Sequence, residues 1–205
     1  MLASNASSAT HLSAAVALLA DPRDGRQPHA MWTGEVEWYT PAPNVEAART
    51  VMGGIDLDPA SSDHAQETVR AATYHTAESD GLARAWRGRV WLNPPYRADL
   101  IAAFVERLLE ERAGGDVTEA VLLVHARTDA AWFHEAAGSA AAVCLTRGRI
   151  RFETPDGPGE SPTTGSAFFY FGDRPERFAA MFGRYGFLLR GYTDELRRPA
   201  RDLNG

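Results

Sequence analysis

Two consecutive prolines mark a sharp boundary in the middle of the chain. Pro94 and Pro95 follow the apolar run 90–92 and one asparagine, and the amphipathic stretch Asp99–Arg112 begins soon after them. A proline has no backbone N–H to donate to a sheet, but its fixed φ suits the first turn of a helix. The segment therefore predicts a buried strand, a rigid corner at 93–96 and then a helix.

Similar alternation of strand and helix extends along most of the chain. The run 119–126 is almost continuously apolar, which is typical of a strand covered on both faces of a sheet. Two later runs, 149–153 and 166–172, predict antiparallel strands joined by a loop rich in Gly and Pro. We therefore predict an α/β fold with a mostly parallel, doubly wound sheet and an antiparallel C-terminal hairpin.

Other element boundaries follow from local signals. Asn44 is a predicted N-cap for a helix that ends near Met52, before Gly53. A short strand, Ile55–Leu57, precedes an acidic turn at Asp58. In a doubly wound sheet, ligands bind beyond the carboxyl ends of the strands. Asp58 and Asn93 both follow predicted strands, so we expect them to face the same crevice.

The corner Asn93-Pro94-Pro95-Tyr96 offers hydrogen-bond acceptors and a flat ring. The Asn93 side chain and the Pro94 carbonyl could accept both hydrogens of an NH2 group, such as the exocyclic amine of a base or an amide. Such hydrogen bonds favour the tetrahedral nitrogen that forms when the amine attacks an electrophile. The Tyr96 ring could stack on an extruded base. The structural alternative is a simple helix start, in which Asn93 caps and Tyr96 packs.

Composition restricts the remaining classes of function. The net charge is −6 and all 21 basic residues are arginine, which argues against a non-specific nucleic-acid coat but allows a local DNA contact. The single cysteine, Cys144, excludes an internal disulfide. The histidines and Cys144 lack metal-ligand spacing, so we expect no metal. Apolar runs are too short for a membrane span, and no basic region precedes Leu12–Ala20, so we expect a cytoplasmic protein.

A longer series of motifs resembles a known family. "NPPY" after an apolar strand is similar to the signature of amino-methyltransferases that use S-adenosyl-L-methionine, and the full series resembles the phage-type, Dam-like DNA N6-adenine methyltransferases. The series runs in order from Trp38 to Gly172: "WYTP", "DLDPAS", "DGLARAW", "VWLNPPY", "ARTDAAWFHE", "RGRIRF" and "SAFFYF". The resemblance implies a Rossmann-like methyltransferase fold for the sheet.

Several site residues are implied by this resemblance. The corner residues Asn93, Pro94, Pro95 and Tyr96 would hold the target adenine. The residues implied at the cofactor are Thr40, Pro41, Asp56, Asp58 and Asp80. Thr40, Asp58 and Asp80 could instead be capping or turn residues. The sequence departs from the family where "DPASSD" lacks the usual glycines, and the interval from Asp58 to Asn93 is too short for two full βα units.

Arginines near the predicted crevice are candidates for contact with the DNA substrate. Arg97 follows the corner, and Arg127 and Asp129 follow the strongest predicted strand. Arg147 and Arg149 form a local positive segment in an acidic protein, so they could bind phosphates. Solvated surface arginines and an Asp129 cap remain the alternative.

The composition of the two ends predicts a division of the chain, and the resemblance implies a reaction. We expect a flexible tail at 1–30, a methyltransferase domain at 31–196 and a basic tail at 197–205. The expected reaction is methylation of adenine N6 in DNA with S-adenosyl-L-methionine. RNA-adenine or protein-glutamine methylation, and an inactive DNA-binding module, remain alternatives. The sequence gives no indication of the oligomeric state.

Overall fold

The computed structural model describes residues 39–154, 157–158 and 163–190. The predicted tails at 1–30 and 197–205 lie outside the described residues. The strands are β1 (Leu57–Asp58), β2 (Thr73–Tyr74), β3 (Gly88–Leu92), β4 (Val117–His125), β5 (Ala142–Thr146), β6 (Glu153–Thr154), β7 (Gly157–Pro158), β8 (Ser166–Phe171) and β9 (Gly186–Arg190). The helices are α1 (Ala42–Met52), α2 (Asp63–Val69), α3 (Ala98–Gly114), α4 (Ala131–Ser139) and α5 (Pro175–Phe182), with a 3-10 turn at Gly81–Ala83.

Seven of these strands form one mixed sheet in the order β2-β1-β3-β4-β8-β5-β9. Strands β2, β1, β3 and β4 pair in parallel. The pairings β4–β8, β8–β5 and β5–β9 are antiparallel. The prediction of an α/β sheet is confirmed. Five of these seven strands run in one direction, and β8, which lies between β4 and β5, and the edge strand β9 run in the other.

The predicted C-terminal hairpin between 149–153 and 166–172 is wrong. Strand β8 pairs with β4 and β5, whereas Glu153 pairs with β7 and bridges to Tyr39. The cause is visible in the side chains. All six residues of β8 are buried, so that strand needs apolar neighbours on both edges, while Arg149 and Arg151 are exposed and do not suit the middle of a sheet.

Several boundaries differ from the local signals. Helix α1 begins at Ala42 after Pro41, so Asn44 lies within its first turn rather than capping it. Strand β2 was not predicted, because its Thr-Tyr pair is too short to show a period. Helix α1 does end at Met52, where Gly53 has the positive φ expected of a helix terminus.

Helices cover both faces of the sheet, as the doubly wound prediction requires. Along β3, Val90 and Leu92 join the core that contains α3 and α4, whereas Trp91 joins the core that contains α1 and α5. None of the described helices is long and apolar enough to span a membrane.

Parallel pairing places the carboxyl ends of β1, β3 and β4 at one edge of the sheet. Leu57 pairs with Val90, and Leu92 pairs with Leu122. Asp58 and Asn93 therefore lie at the same edge, as expected from their positions after adjacent strands. This edge is where an open α/β sheet binds its ligands.

Two loops at this edge meet through a glycine. A Cβ placed on Gly81 would lie 1.8 Å from the carbonyl oxygen of Pro59, so the turn after Asp80 packs directly on the backbone of the acidic turn. The Trp86 indole fixes the same turn by donating a 2.8 Å hydrogen bond to the Gly81 carbonyl.

We therefore expect Gly81→Ala to destabilise the protein by about 1–3 kcal/mol, because the methyl group forces the two backbones apart. Gly114→Ala is the control, since Gly114 lies in α3 and a Cβ added there would have no neighbouring atom within 4 Å. That variant should be unchanged or slightly more stable. Denaturant unfolding measures both, and equal midpoints for the two variants would contradict the packing described.

Candidate active site

The Asn93 amide is held at both of its ends. Its Nδ2 donates to the Thr40 hydroxyl over 3.2 Å, and its Oδ1 accepts from the Tyr96 hydroxyl over 2.8 Å. Asn93 directly follows β3 and is half-buried, and Pro94 beside it is buried. The corner is thus a fixed, partly accessible acceptor at the carboxyl edge of the sheet.

Tyr96 stacks on a histidine from the neighbouring strand. The Tyr96 and His125 rings lie 3.8 Å apart between centroids and are nearly parallel, at 5°. Burial raises the pKa of Tyr96, which keeps the phenol protonated and able to donate. Burial, with a smaller contribution from Arg127, lowers the pKa of His125 and favours its neutral ring. One face of the predicted stacking ring is therefore covered by the protein itself.

The segment before α1 lies across this edge of the sheet. Tyr39 forms two backbone hydrogen bonds with Glu153, of 2.8 and 2.9 Å, and its ring contacts His64 edge-on at 4.4 Å. Thr40, the next residue, is buried and directed to Asn93. Sequence reasoning assigned Thr40 to the cofactor, and the structure joins it to the corner.

Asp58 is buried at the end of β1. Its carboxylate accepts from the backbone N–H of Ala60 at 3.3 Å and from Nε2 of Gln66 at 3.0 Å. Gln66 also donates to the Ser61 hydroxyl at 2.7 Å, so α2 fixes the whole acidic turn. Burial raises the pKa of Asp58 to about 7, and the hydrogen bonds from Ser61, Ala60 and Gln66 only partly oppose this.

The two carboxylate oxygens of Asp80 differ in their hydrogen bonding. Its Oδ1 accepts from the Leu82 N–H at 3.2 Å and caps the 3-10 turn, with a positive φ of 48°. Its Oδ2 is buried and has no hydrogen-bond partner within the described ranges. A buried acceptor without a donor is costly, so this oxygen suits a ligand hydroxyl or ammonium group.

Asp56, the other acidic residue predicted at the cofactor, pairs with an arginine away from the corner. Its carboxylate forms an ion pair with the Arg89 guanidinium, with contacts of 2.6 and 2.8 Å, and also accepts from the Arg89 backbone N–H. This pairing lowers the pKa of Asp56. Arg89 lies at the start of β3, so the structure does not bring Asp56 to the carboxyl edge.

The predicted substrate arginines fall into two groups. Arg97 pairs with Asp99 at 2.8 Å, and Arg127 pairs with Asp129 at 3.3 Å, all on exposed side chains. These exposed pairs contribute little to stability and leave the guanidinium groups available at the surface.

The second group borders a groove of about 340 Å³. Arg147, Arg149 and Arg151 are exposed there, and their guanidinium groups form no hydrogen bond or ion pair with the part of the chain that the structure describes. The groove is lined by Pro41, Asn44, Thr146, Arg147, Arg149, Ile150, Arg151, Glu153 and Tyr185. Since Pro41 follows Thr40, this positive groove continues from the segment that contacts the corner.

Two residues of the candidate site were not identified from the sequence. His125 was considered only as a metal ligand, although its place at the end of β4, beside β3, is a signal that it meets the corner. No sequence pattern indicated Gln66, because its contact with Asp58 depends on how α2 packs against the acidic turn. Among the described residues, no group of three or more His, Cys, Asp or Glu side chains is placed to hold a metal ion.

The raised pKa of Asp58 predicts a pH-dependent stability. In an unfolded chain this carboxyl titrates near about 3.9, so the folded protein binds more protons between about pH 4 and about pH 7. Its contribution to stability is greatest below this window, decreases as the pH rises through it, and is constant above about pH 7.

Asp58→Asn removes this titration. We expect the free energy of unfolding of the variant, relative to wild type, to rise by on the order of 3 kcal/mol between about pH 4.5 and about pH 8. Denaturant unfolding at several pH values checks this, and the pH-dependent difference is independent of any fixed cost of the substitution. Parallel stability profiles would show that Asp58 ionises normally.

Comparison with known proteins gave a match to a family model. A search of curated proteins found no match. The family model described as DNA N-6-adenine-methyltransferase (Dam) matches residues 32–170, a range that includes the acidic turn, the Asn93 corner and most of β8. This match covers more than half of the chain and confirms the resemblance drawn from the motifs. The chain belongs to the DNA N-6-adenine-methyltransferase (Dam) family.

Proposed function

We propose that this protein transfers a methyl group from S-adenosyl-L-methionine to the exocyclic N6 of adenine in DNA. The observation that carries the proposal is the Asn93 corner, an oriented amide at the carboxyl edge of the sheet in a member of an adenine methyltransferase family. We also propose that the sheet is a variant of the Rossmann-like methyltransferase fold.

The corner binds the target amine through acceptors. Asn93 Oδ1 and the Pro94 carbonyl accept the two N–H groups of adenine N6, which raises the electron density on nitrogen and favours its tetrahedral geometry. No strong base is needed before the attack, because the amine loses its proton only after it has become positively charged. The same two oxygens hold that proton until it passes to water.

Tyr96 supplies the surface on which the base lies. The adenine stacks on the ring face opposite to His125, and such stacking contributes about 1–3 kcal/mol. His125 supports the ring from behind, so the tyrosine is held in place before the base arrives.

The residues beside the corner fit S-adenosyl-L-methionine, which supplies a methyl group on a positively charged sulfur when bound. Asp80 Oδ2, the buried acceptor with no partner among the described residues, would accept from a ribose hydroxyl or from the ammonium group. The turn at Asp58 and the backbone of the Thr40-Pro41 segment would enclose the rest of the molecule, while the Thr40 hydroxyl accepts from Asn93. Asp56 does not belong to this set, since Arg89 occupies its carboxylate.

Contact with DNA is expected to be local. The chain has a net charge of −6, so its general field repels DNA. The groove beside Arg147 and Arg149 concentrates positive charge next to the corner and would bind phosphates that flank the target base. Arg97 and Arg127, with Asp129 orienting the latter, would add contacts nearer the base.

Asn93→Ala tests the chemistry. We expect the rate of methyl transfer to fall on the order of 10²-fold or more, because the variant lacks the side-chain oxygen, one of the two acceptors that stabilise the transition state. Asn93→Asp is the matched variant, since it keeps an acceptor oxygen and should retain more activity. Labelled methyl transfer followed by nucleoside digestion measures both rate and product. Unchanged turnover in Asn93→Ala, or label found only on ribonucleosides or glutamine, would overturn the proposal.

Substitution of the groove arginines tests the DNA contact. We expect the double variant Arg147→Gln, Arg149→Gln to weaken DNA binding and to reduce the slope of log affinity against log salt by roughly one for each phosphate that is no longer neutralised. The control is Arg87→Gln, because Arg87 is also exposed but precedes β3 at the opposite edge of the sheet. Fluorescence anisotropy over a salt series measures the slope, and equal slopes for the double variant and the control would exclude a phosphate site in the groove.

A further inference from the structure

We infer that Thr40 is a positioning residue that fixes which end of the Asn93 amide faces the target amine. The inference deepens the proposed function and depends on it. It starts from the contact of 3.2 Å in which Asn93 Nδ2 donates to the Thr40 hydroxyl, across an interval of 53 residues.

A terminal amide has two orientations of nearly identical shape. In one, the oxygen faces the corner and accepts from the substrate. In the other, the NH2 group faces the substrate NH2, so donors meet donors and both stay unsatisfied. An asparagine at this position therefore needs partners that select the first orientation.

The two hydroxyls at the corner provide that selection. Tyr96 donates to Oδ1 over 2.8 Å, and burial keeps its phenol in the protonated, donating form. The phenol is a better donor than acceptor, so it prefers the amide oxygen and leaves Nδ2 to Thr40. The amide oxygen has two lone pairs and can accept from the substrate while Tyr96 stays bound or moves away. The Thr40 contact does not use the oxygen at all, so it persists in both cases.

Thr40 is held in place independently of Asn93. The residue before it, Tyr39, is fixed by backbone hydrogen bonds to Glu153 and by its contact with His64, and Pro41 after it precedes helix α1. Thr40 is also buried, at 7% exposure. Its hydroxyl oxygen is thus held where it accepts from Nδ2, and it positions the amide before substrate binds.

Thr40→Val, which keeps the shape and removes the hydroxyl, is the first variant, and Thr40→Ser, which keeps the hydroxyl, is its control. We expect Thr40→Val to lower kcat on the order of 10-fold with little change in the KM for S-adenosyl-L-methionine, and Thr40→Ser to stay within about 2-fold of wild type. A rise in that KM with unchanged kcat would overturn the inference and would make Thr40 a cofactor contact.

The same substitution in an Asn93→Asp background separates orientation from general support. A carboxylate has two acceptor oxygens and no wrong orientation, so the effect of Thr40→Val on kcat should shrink to about 2-fold or less. An equal loss in both backgrounds would overturn the inference, because it would show that Thr40 supports the corner without selecting the amide orientation.

A spectroscopic measurement does not depend on activity. In a ¹⁵N–¹H spectrum of the free protein, the Asn93 side-chain NH2 signals are identified by their absence in Asn93→Asp. We expect them to be displaced from free-amide positions in wild type and Thr40→Ser, and to return toward those positions in Thr40→Val. Identical signals in wild type and Thr40→Val would overturn the inference, whereas a wild type that does not methylate DNA but shows the shift would overturn only the proposed function.

Discussion

Parallel pairing of β1, β3 and β4 is the constraint on which the site depends. The pairs Leu57–Val90 and Leu92–Leu122 align three strand ends, so Asp58, Asn93 and His125 lie at one edge although they are distant in sequence. Strands buried on both faces supply the rigidity, since Val90 and Trp91 pack into opposite cores. The polar groups contribute little to this alignment, but the alignment brings them together.

Polar side chains at this edge are organised before any ligand binds. The Asn93 amide is held by two hydroxyls, the Tyr96 ring rests on His125, and Gln66 fixes the acidic turn. Such pre-organisation reduces the reorganisation needed at the moment of reaction. The buried Asp58 carboxylate and the Asp80 oxygen that has no partner among the described residues destabilise the free protein, and a bound ligand with suitable donors would relieve the second of these costs.

Local signals in the sequence predicted the corner, the main helices and the α/β class, because prolines, glycines and apolar periods act over a few residues. They did not predict long-range partners. Asp56 looks like part of the acidic motif, yet it precedes β1, at the amino end of the strand, where it pairs with Arg89. The local patterns of 149–153 and 166–172 are compatible with a hairpin, which is why it was predicted. In the folded protein the apolar strands β4 and β5 pair with β8 on both sides instead. Thr40 shows the same limit, since its contact with Asn93 depends on the whole sheet.

The acidic turn "DPASSD" contains no glycine, and its close packing depends on a glycine in the opposite loop. A glycine is needed where two backbones approach closely, and either side of the contact can supply it. Here Gly81 permits the approach, since a Cβ at that position would meet the Pro59 carbonyl oxygen. The acidic turn is then free to use Ser61 as a hydrogen-bond partner of Gln66, a role that glycine does not offer. The close packing at this point of the carboxyl edge is therefore provided by a glycine outside the acidic turn.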